Sequence, residues 1–177
     1  MDAHYDLDRV IRKVPDFPKQ GVLYYDITGI LAVPEAFQYC IDRMEVLCEG
    51  REIDAIAAVE ARGFIFAAPL ALRLGLPLIL VRKMGKLPNK VFTKSFELEY
   101  GCDVVCVQEV DIHKGSRILL VDDLIATGGT LKAAASMFEE HGALVEGFLG
   151  VIGLPFLKYE QALAPYPVEV LQVYHGE

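Results

Sequence analysis

The chain has no apolar run long enough to cross a membrane. Its longest, "GFIFAAPLAL" and "GLPLILV", are separated by Arg73 and Leu74, whereas a spanning helix needs about 20 such residues. The start, "MDAHYDLDRVIRK", mixes charges and lacks the apolar region of a signal peptide. A cytoplasmic protein is expected. Cysteine is sparse: Cys40, Cys48, Cys102 and Cys106 form no CxxC pair, so reduced thiols are expected rather than a disulfide framework. His4, His113, His141 and His175 are scattered, with no i,i+4 pair, which argues against a structural zinc site. Surplus positive charge is missing as well. The formal net charge is −8, which argues against broad binding to nucleic acid or an anionic membrane. Neither a Walker loop nor GxGxxG is present, so nothing supports a dinucleotide-binding fold.

What is there suits one globular domain. The 177 residues are 53% hydrophobic and 24% charged, enough to bury a core and stay dissolved. Residues 34–49 place Phe37, Ile41, Met44, Leu47 and Cys48 at helical spacing, with Pro34 in the first turn. "IDAIAAVE" and "LPLILVRK" are short apolar runs that predict buried strands. Between them, "GFIFAAPLALRLG" predicts a helix capped by Gly75, with Pro69 either kinking it or marking a late start. "RILLVDD" predicts a third strand, "TLKAAASMFEEHG" a helix, "ALVEGFLGVIG" a fourth strand and "PVEVLQVY" a late one. This alternation predicts an α/β domain whose parallel sheet is covered on both faces. "MGKLPNKVFTKSFELEYG" breaks the period and reads as a long excursion or hairpin, the usual form of a lid.

Three loops leave the carboxyl ends of predicted strands, where ligands of such sheets bind: "EARGF", "RKMGKLP" and "DDLIATGGT". In the last, Gly128 and Gly129 let backbone amides turn inward, and Thr127 and Thr130 add hydroxyls. A helix starts at this loop, so its unpaired N–H groups and dipole also favour an anion. The loop could hold a phosphate, or be an ordinary turn with a threonine cap. Asp122 and Asp123 sharpen the choice. Adjacent acids on an extended chain point different ways and cannot both cap one helix. Their repulsion asks for a polyhydroxylated or cationic partner. A ribose diol or Mg²⁺ would supply one.

Strand, two acids and "ATGGT" together resemble the signature of the type I phosphoribosyltransferase family. "IRKVPDFPKQGVLYYDIT", "EARGF", "RKMGKLP" and "LEYG" follow, in order and spacing, the adenine-using branch of that family, over roughly residues 8–150. The resemblance implies a three-layer fold, with a mostly parallel sheet flanked by helices and a flexible lid at about 83–105. It implies a base-binding segment at about 8–30 in a single domain over residues 1–177. The implied ligands are adenine, phosphoribosyl diphosphate, AMP and diphosphate, with Mg²⁺ as cofactor and a homodimer as the assembly. Ala126, Thr127, Gly128, Gly129 and Thr130 would hold the 5′-phosphate. Asp122 and Asp123 would hold the ribose hydroxyls, directly or through Mg²⁺ and water. Arg62, Arg82, Lys83 and Lys86 would meet the diphosphate, the latter three from "RKMGK", which in the family often serves a neighbouring subunit. Arg62 could instead form a surface ion pair with Glu60. Tyr24 and Leu124 would sandwich the base while backbone groups of Leu23 and Tyr25 read its edge, although the same run could be a half-buried strand. Glu99 would carry the purine proton, with Tyr100 beside it on the lid; otherwise "ELEY" is an exposed strand. The resemblance also leaves room for another purine, or for a regulator that senses phosphoribosyl diphosphate without turning it over.

The chain departs from the family pattern at four places. Tyr25 stands where Lys or Arg is usual, and Cys106 where Glu is usual. Gly153 replaces a common Glu after "LGVI", and "YEQ" replaces "GRE".

Overall fold

The computed structural model describes residues 5–97 and 102–176. A two-stranded antiparallel hairpin, β1 (Arg12–Val14) and β2 (Tyr24–Asp26), precedes the main body. The main body is built from α1 (Thr28–Leu31), α2 (Pro34–Cys48), β3 (Ala55–Val59), α3 (Gly63–Leu74), β4 (Leu78–Lys83), β5 (Val91–Glu97), β6 (Cys102–Gln108), β7 (Arg117–Ile125), α4 (Gly129–Glu140), β8 (Leu144–Gly153), α5 (Tyr159–Leu163) and β9 (Val168–Val173). The seven-stranded sheet runs β5-β6-β4-β3-β7-β8-β9. Strands β4, β3, β7, β8 and β9 are mutually parallel, while β5 and β6 add an antiparallel edge. The sheet is therefore mixed rather than wholly parallel, because the predicted excursion is a hairpin that joins its edge.

Every residue of β3 is buried, as expected for a central strand covered on both faces. One face carries a core of α2 and α3 side chains, among them Met44, Phe66 and Leu70, packed on Leu119, Val121 and Leu149. The other carries Leu131, Met137 and Phe138 of α4 with Leu163 of α5, packed on Ile118, Leu120 and Phe148. Helix α3 starts at Gly63 and ends at Gly75 in the left-handed conformation, φ 64°. Pro69 lies inside it, so Pro69 marks no late start. No helix among the described residues is long and apolar enough to cross a membrane.

Strand β7 runs further than its sequence suggests. It continues through both aspartates to Ile125, because β8 keeps pairing with it as far as Ile125 and Gly153. Along it, Ile118 and Leu120 belong to the α4 side and Leu119 and Val121 to the α3 side. Beyond the aspartates the order has slipped by one: Leu124 packs on the α3 side and Ile125 on the α4 side. The expected divergence of neighbouring side chains therefore fails where the two acids stand, and both line one cavity.

Candidate active site

The loops after β3, β4 and β7 meet at one end of the sheet, around a cavity of about 410 Å³. The loop after β3 brings Glu60 and Arg62, the end of β4 Arg82 and Lys83, and β7 itself Asp122, Asp123 and Leu124. Gly63 lets α3 begin close against β7: a Cβ there would stand 3.0 Å from Asp122 Oδ1 and 3.1 Å from the Val121 carbonyl. Phe96, Asp103 and Val105 of the β5–β6 hairpin wall the remaining side.

Each cation that faces this cavity already has an acid. Arg62 Nε donates to Asp123 Oδ2 at 2.6 Å, so its ion pair is with Asp123 and not with Glu60, the alternative to a diphosphate role. Glu60 accepts from Arg82 Nε at 2.7 Å and from the Lys83 amide at 3.2 Å. Lys83 Nζ lies 2.8 Å from Asp103. The Lys86 side chain is exposed; its carbonyl accepts from Arg82 Nη1 at 2.9 Å. Asp123 is 3% exposed, and Asp122 beside it is half-buried. The Asp122 carboxyl accepts from the Asp123 amide at 2.9 Å. Burial first, then the neighbouring charge of Asp123, holds Asp122 well above the usual carboxylate range.

A second hollow, about 100 Å³, is lined by Asp122 and residues 124–131. Gly128 sits at φ 79°, and the first turn of α4 has no side-chain cap from it. The first amides of α4 thus open towards the hollow. Leu163 of α5 braces the loop from behind, 2.9 Å from where a Gly128 Cβ would stand. Thr127 Oγ1 is 3.4 Å from the Gly129 amide.

A third hollow, about 200 Å³, is apolar. Leu23, Tyr24, Leu124, Leu154 and Phe156 are among its walls, with Arg62 at one edge. Tyr24 is fixed by Phe17, edge-on at 5.0 Å, and its hydroxyl accepts from Arg62 Nη1 at 3.2 Å. Tyr25 also borders the hollow, but its own side chain is 4% exposed and stacks on Tyr174, ring centroids 4.2 Å apart. Leu124 lines all three hollows. Leu154, Phe156, Phe96 and Asp103 were not read as site residues from sequence. "GLPF" after β8 held a usable signal, since that strand ends on the same side as the other site loops. Glu99 and Tyr100 lie outside the described residues.

Residues 27–152 match the family model of the phosphoribosyl transferase domain. An adenine phosphoribosyltransferase of Treponema denticola is 57% identical over 97% of this chain and 90% of its own. The chain belongs to the adenine phosphoribosyltransferases. Their crystal structures superpose closely: the enzyme of Thermoanaerobacter pseudethanolicus gives a TM-score of 0.92 at 42% identity, covering 95% of this chain and 98% of that one. The Saccharomyces cerevisiae enzyme, complexed with an imino-altritol bisphosphate and adenine, gives 0.89 at 38%, covering 93% and 96%.

Against the adenine phosphoribosyltransferase pattern, the departures acquire physical reasons. A Cβ at Gly153 would stand 2.7 Å from the Tyr159 hydroxyl and 2.9 Å from Val170 Cγ2. Tyr159 is the first residue of "YEQ" and is 3% exposed. Gly153 leaves the space that the buried Tyr159 side chain fills. Cys106 is buried beneath the loop after β4, its thiol donating towards the carbonyls of Arg82 and Lys83. Burial, then the charge of Glu60, pushes that thiol up.

Proposed function

We propose that this adenine phosphoribosyltransferase joins N9 of adenine to C1′ of phosphoribosyl diphosphate, giving AMP and diphosphate. One observation carries the reading: three hollows converge on Leu124, one with helix-end amides, one with paired acids and arginines, one apolar. They match a phosphate, a sugar carrying a diphosphate, and a purine, in the order in which the ligand links them.

The 5′-phosphate takes the amides and hydroxyls of residues 126–130. The ribose diol donates to Asp122 and Asp123. The base enters between Tyr24 and Leu124, with Phe156 as a further wall. Diphosphate takes Arg62 and Arg82, which then exchange their bonds to Asp123 and Glu60 for bonds to the leaving group. As the C1′–oxygen bond breaks and the N9–C1′ bond forms, positive charge develops on the ribose, and the fixed carboxylates face it. The N9 proton goes to Glu99 by resemblance. The β5–β6 hairpin limits water, which would otherwise capture the sugar.

Mg²⁺ fits the residues in a limited way. No cluster of three acidic, histidine or cysteine side chains that could hold a metal exists among the described residues. Mg²⁺ commonly keeps its waters and uses one or two carboxylates plus substrate phosphates. Asp122 and Asp123 offer that pair, and a bound ion would neutralise charge on the departing diphosphate. The chain works in the cytoplasm as a homodimer; Leu72, 82% exposed on α3, and Val46 on α2 support a paired surface.

Incubation with adenine, phosphoribosyl diphosphate and Mg²⁺ tests the reaction, with AMP as the expected product. Guanine, hypoxanthine and xanthine run in parallel should give little or none. Absence of AMP from folded protein refutes the function, and faster reaction with another purine refutes the base assignment.

A further inference from the structure

The hairpin that carries Leu23 and Tyr24 forms a sheet of its own. Strand β1 is fully exposed. Leu7 and Ile11 anchor its approach in the core. A second attachment comes from the opposite end of the chain. Beyond β9, the Tyr174 amide donates to the Gly153 carbonyl at 3.1 Å. The Tyr174 ring stacks on Tyr25 at 4.2 Å and 20°. Its hydroxyl donates to Asp8 Oδ1 at 2.6 Å. Lys13 Nζ pairs with the same carboxylate at 2.8 Å and stands 5.0 Å from the Tyr174 ring centre. Two residues further on, the Gly176 carbonyl accepts from the Tyr25 hydroxyl at 3.2 Å.

Tyr174 therefore bonds to the segments that carry both walls of the apolar hollow. Through Tyr25, Asp8 and Lys13 it holds the wall made by Leu23 and Tyr24. Through Gly153 it holds the strand end that leads into Leu154 and Phe156. We propose that residues 174–176 are a strap that positions the base-binding hollow, with Tyr174 as its positioning residue and Tyr25 as the hairpin's half of the contact. This explains why Tyr25 departs from the usual Lys or Arg: at 4% exposure its side chain is part of the strap contact. The phosphate loop and the paired acids make none of these contacts.

The inference rests on the base assignment above, and its test separates the two. Steady-state kinetics of wild type, Tyr174→Phe and Tyr174→Leu are measured with each substrate varied. Tyr174→Leu, which loses stack and hydroxyl together, should raise KM for adenine about 10-fold. KM for phosphoribosyl diphosphate and kcat should stay within about 2-fold. Tyr174→Phe keeps the stack but loses the bond to Asp8, and should raise the adenine KM about 2- to 3-fold. Equal rises for both substrates, or no rise in Tyr174→Leu, overturn the strap. If Tyr174→Leu does not fold, Tyr174→Phe decides: an adenine-only rise supports the strap, and no rise overturns it. Failure of the wild type to use adenine refutes the base assignment instead.

Discussion

Replacing Asp123 by Asn separates sugar recognition from diphosphate recognition, because Asp123 serves one and restrains the other. The side chain is buried and bonded to Arg62 Nε at 2.6 Å. A hydrogen bond to a charged partner contributes about 1.5–3 kcal/mol, roughly twice a neutral one. Asn keeps an acceptor oxygen, so about 1 kcal/mol is lost, less because the Arg62 side chain is 49% exposed. Against this, the repulsion with Asp122 disappears. Stability should change by less than about 1 kcal/mol, a melting shift under about 4 °C. Ligands respond in opposite directions. A ribose diol loses charge-assisted acceptance of about 1.5–3 kcal/mol, so AMP and ribose 5-phosphate should bind roughly 10- to 100-fold more weakly. Inorganic diphosphate should bind as well or better, since Arg62 is released. Asp122 should also titrate lower, because the neighbouring charge of Asp123, one of the causes raising it, is gone. Calorimetric titration with each ligand, scanning fluorimetry and carboxyl NMR report these quantities. Parallel weakening of AMP and diphosphate would refute the arrangement, as would a melting loss beyond about 8 °C.

The contact between Gly153 and Tyr159 gives a coupled pair. Gly153→Ala drives a methyl into Tyr159 and Val170 and should cost about 1–3 kcal/mol, a fall of about 2–12 °C; Tyr159→Phe should recover part of it in the double variant, and additive losses would contradict the contact. At the sheet's opposite end, two hydrogen bonds from the Arg117 side chain and one from its amide hold the Asp54 carboxyl down at about 2. Because the folded value is depressed below the ordinary 3.8, its stabilisation is present above that value and is lost as pH falls from there towards 2. Asp54→Asn should flatten acid denaturation in that window, followed by circular dichroism. Burial pushes the Cys40 thiol to about 12 and the Cys48 thiol to about 11, and Cys106 is also buried while Cys102 is exposed. A thiol reagent should therefore modify one of the four cysteines rapidly in the native protein and all four after denaturation.

The sequence by itself determined the parts whose cause is local. Apolar runs and helical spacing name β3, β4, β7, β8, α2 and α4 because burial on one or two faces dictates those periods. Gly128, Gly129 and the adjacent acids name an anion loop beside a hydroxyl-binding pair, because those backbone and side-chain chemistries lie within nine residues. Only the tertiary structure decided what depends on distant neighbours. Arg62 is read from sequence beside Glu60, yet it bonds Asp123, 61 positions away, because α3 starts against β7. The aspartates share one cavity because β7 slips its alternation there. Leu154 and Phe156 join the base pocket because β8 ends next to β7. Tyr25 finds its stacking partner 149 positions later, at Tyr174. Such partners are chosen by packing between elements, and no local period encodes them.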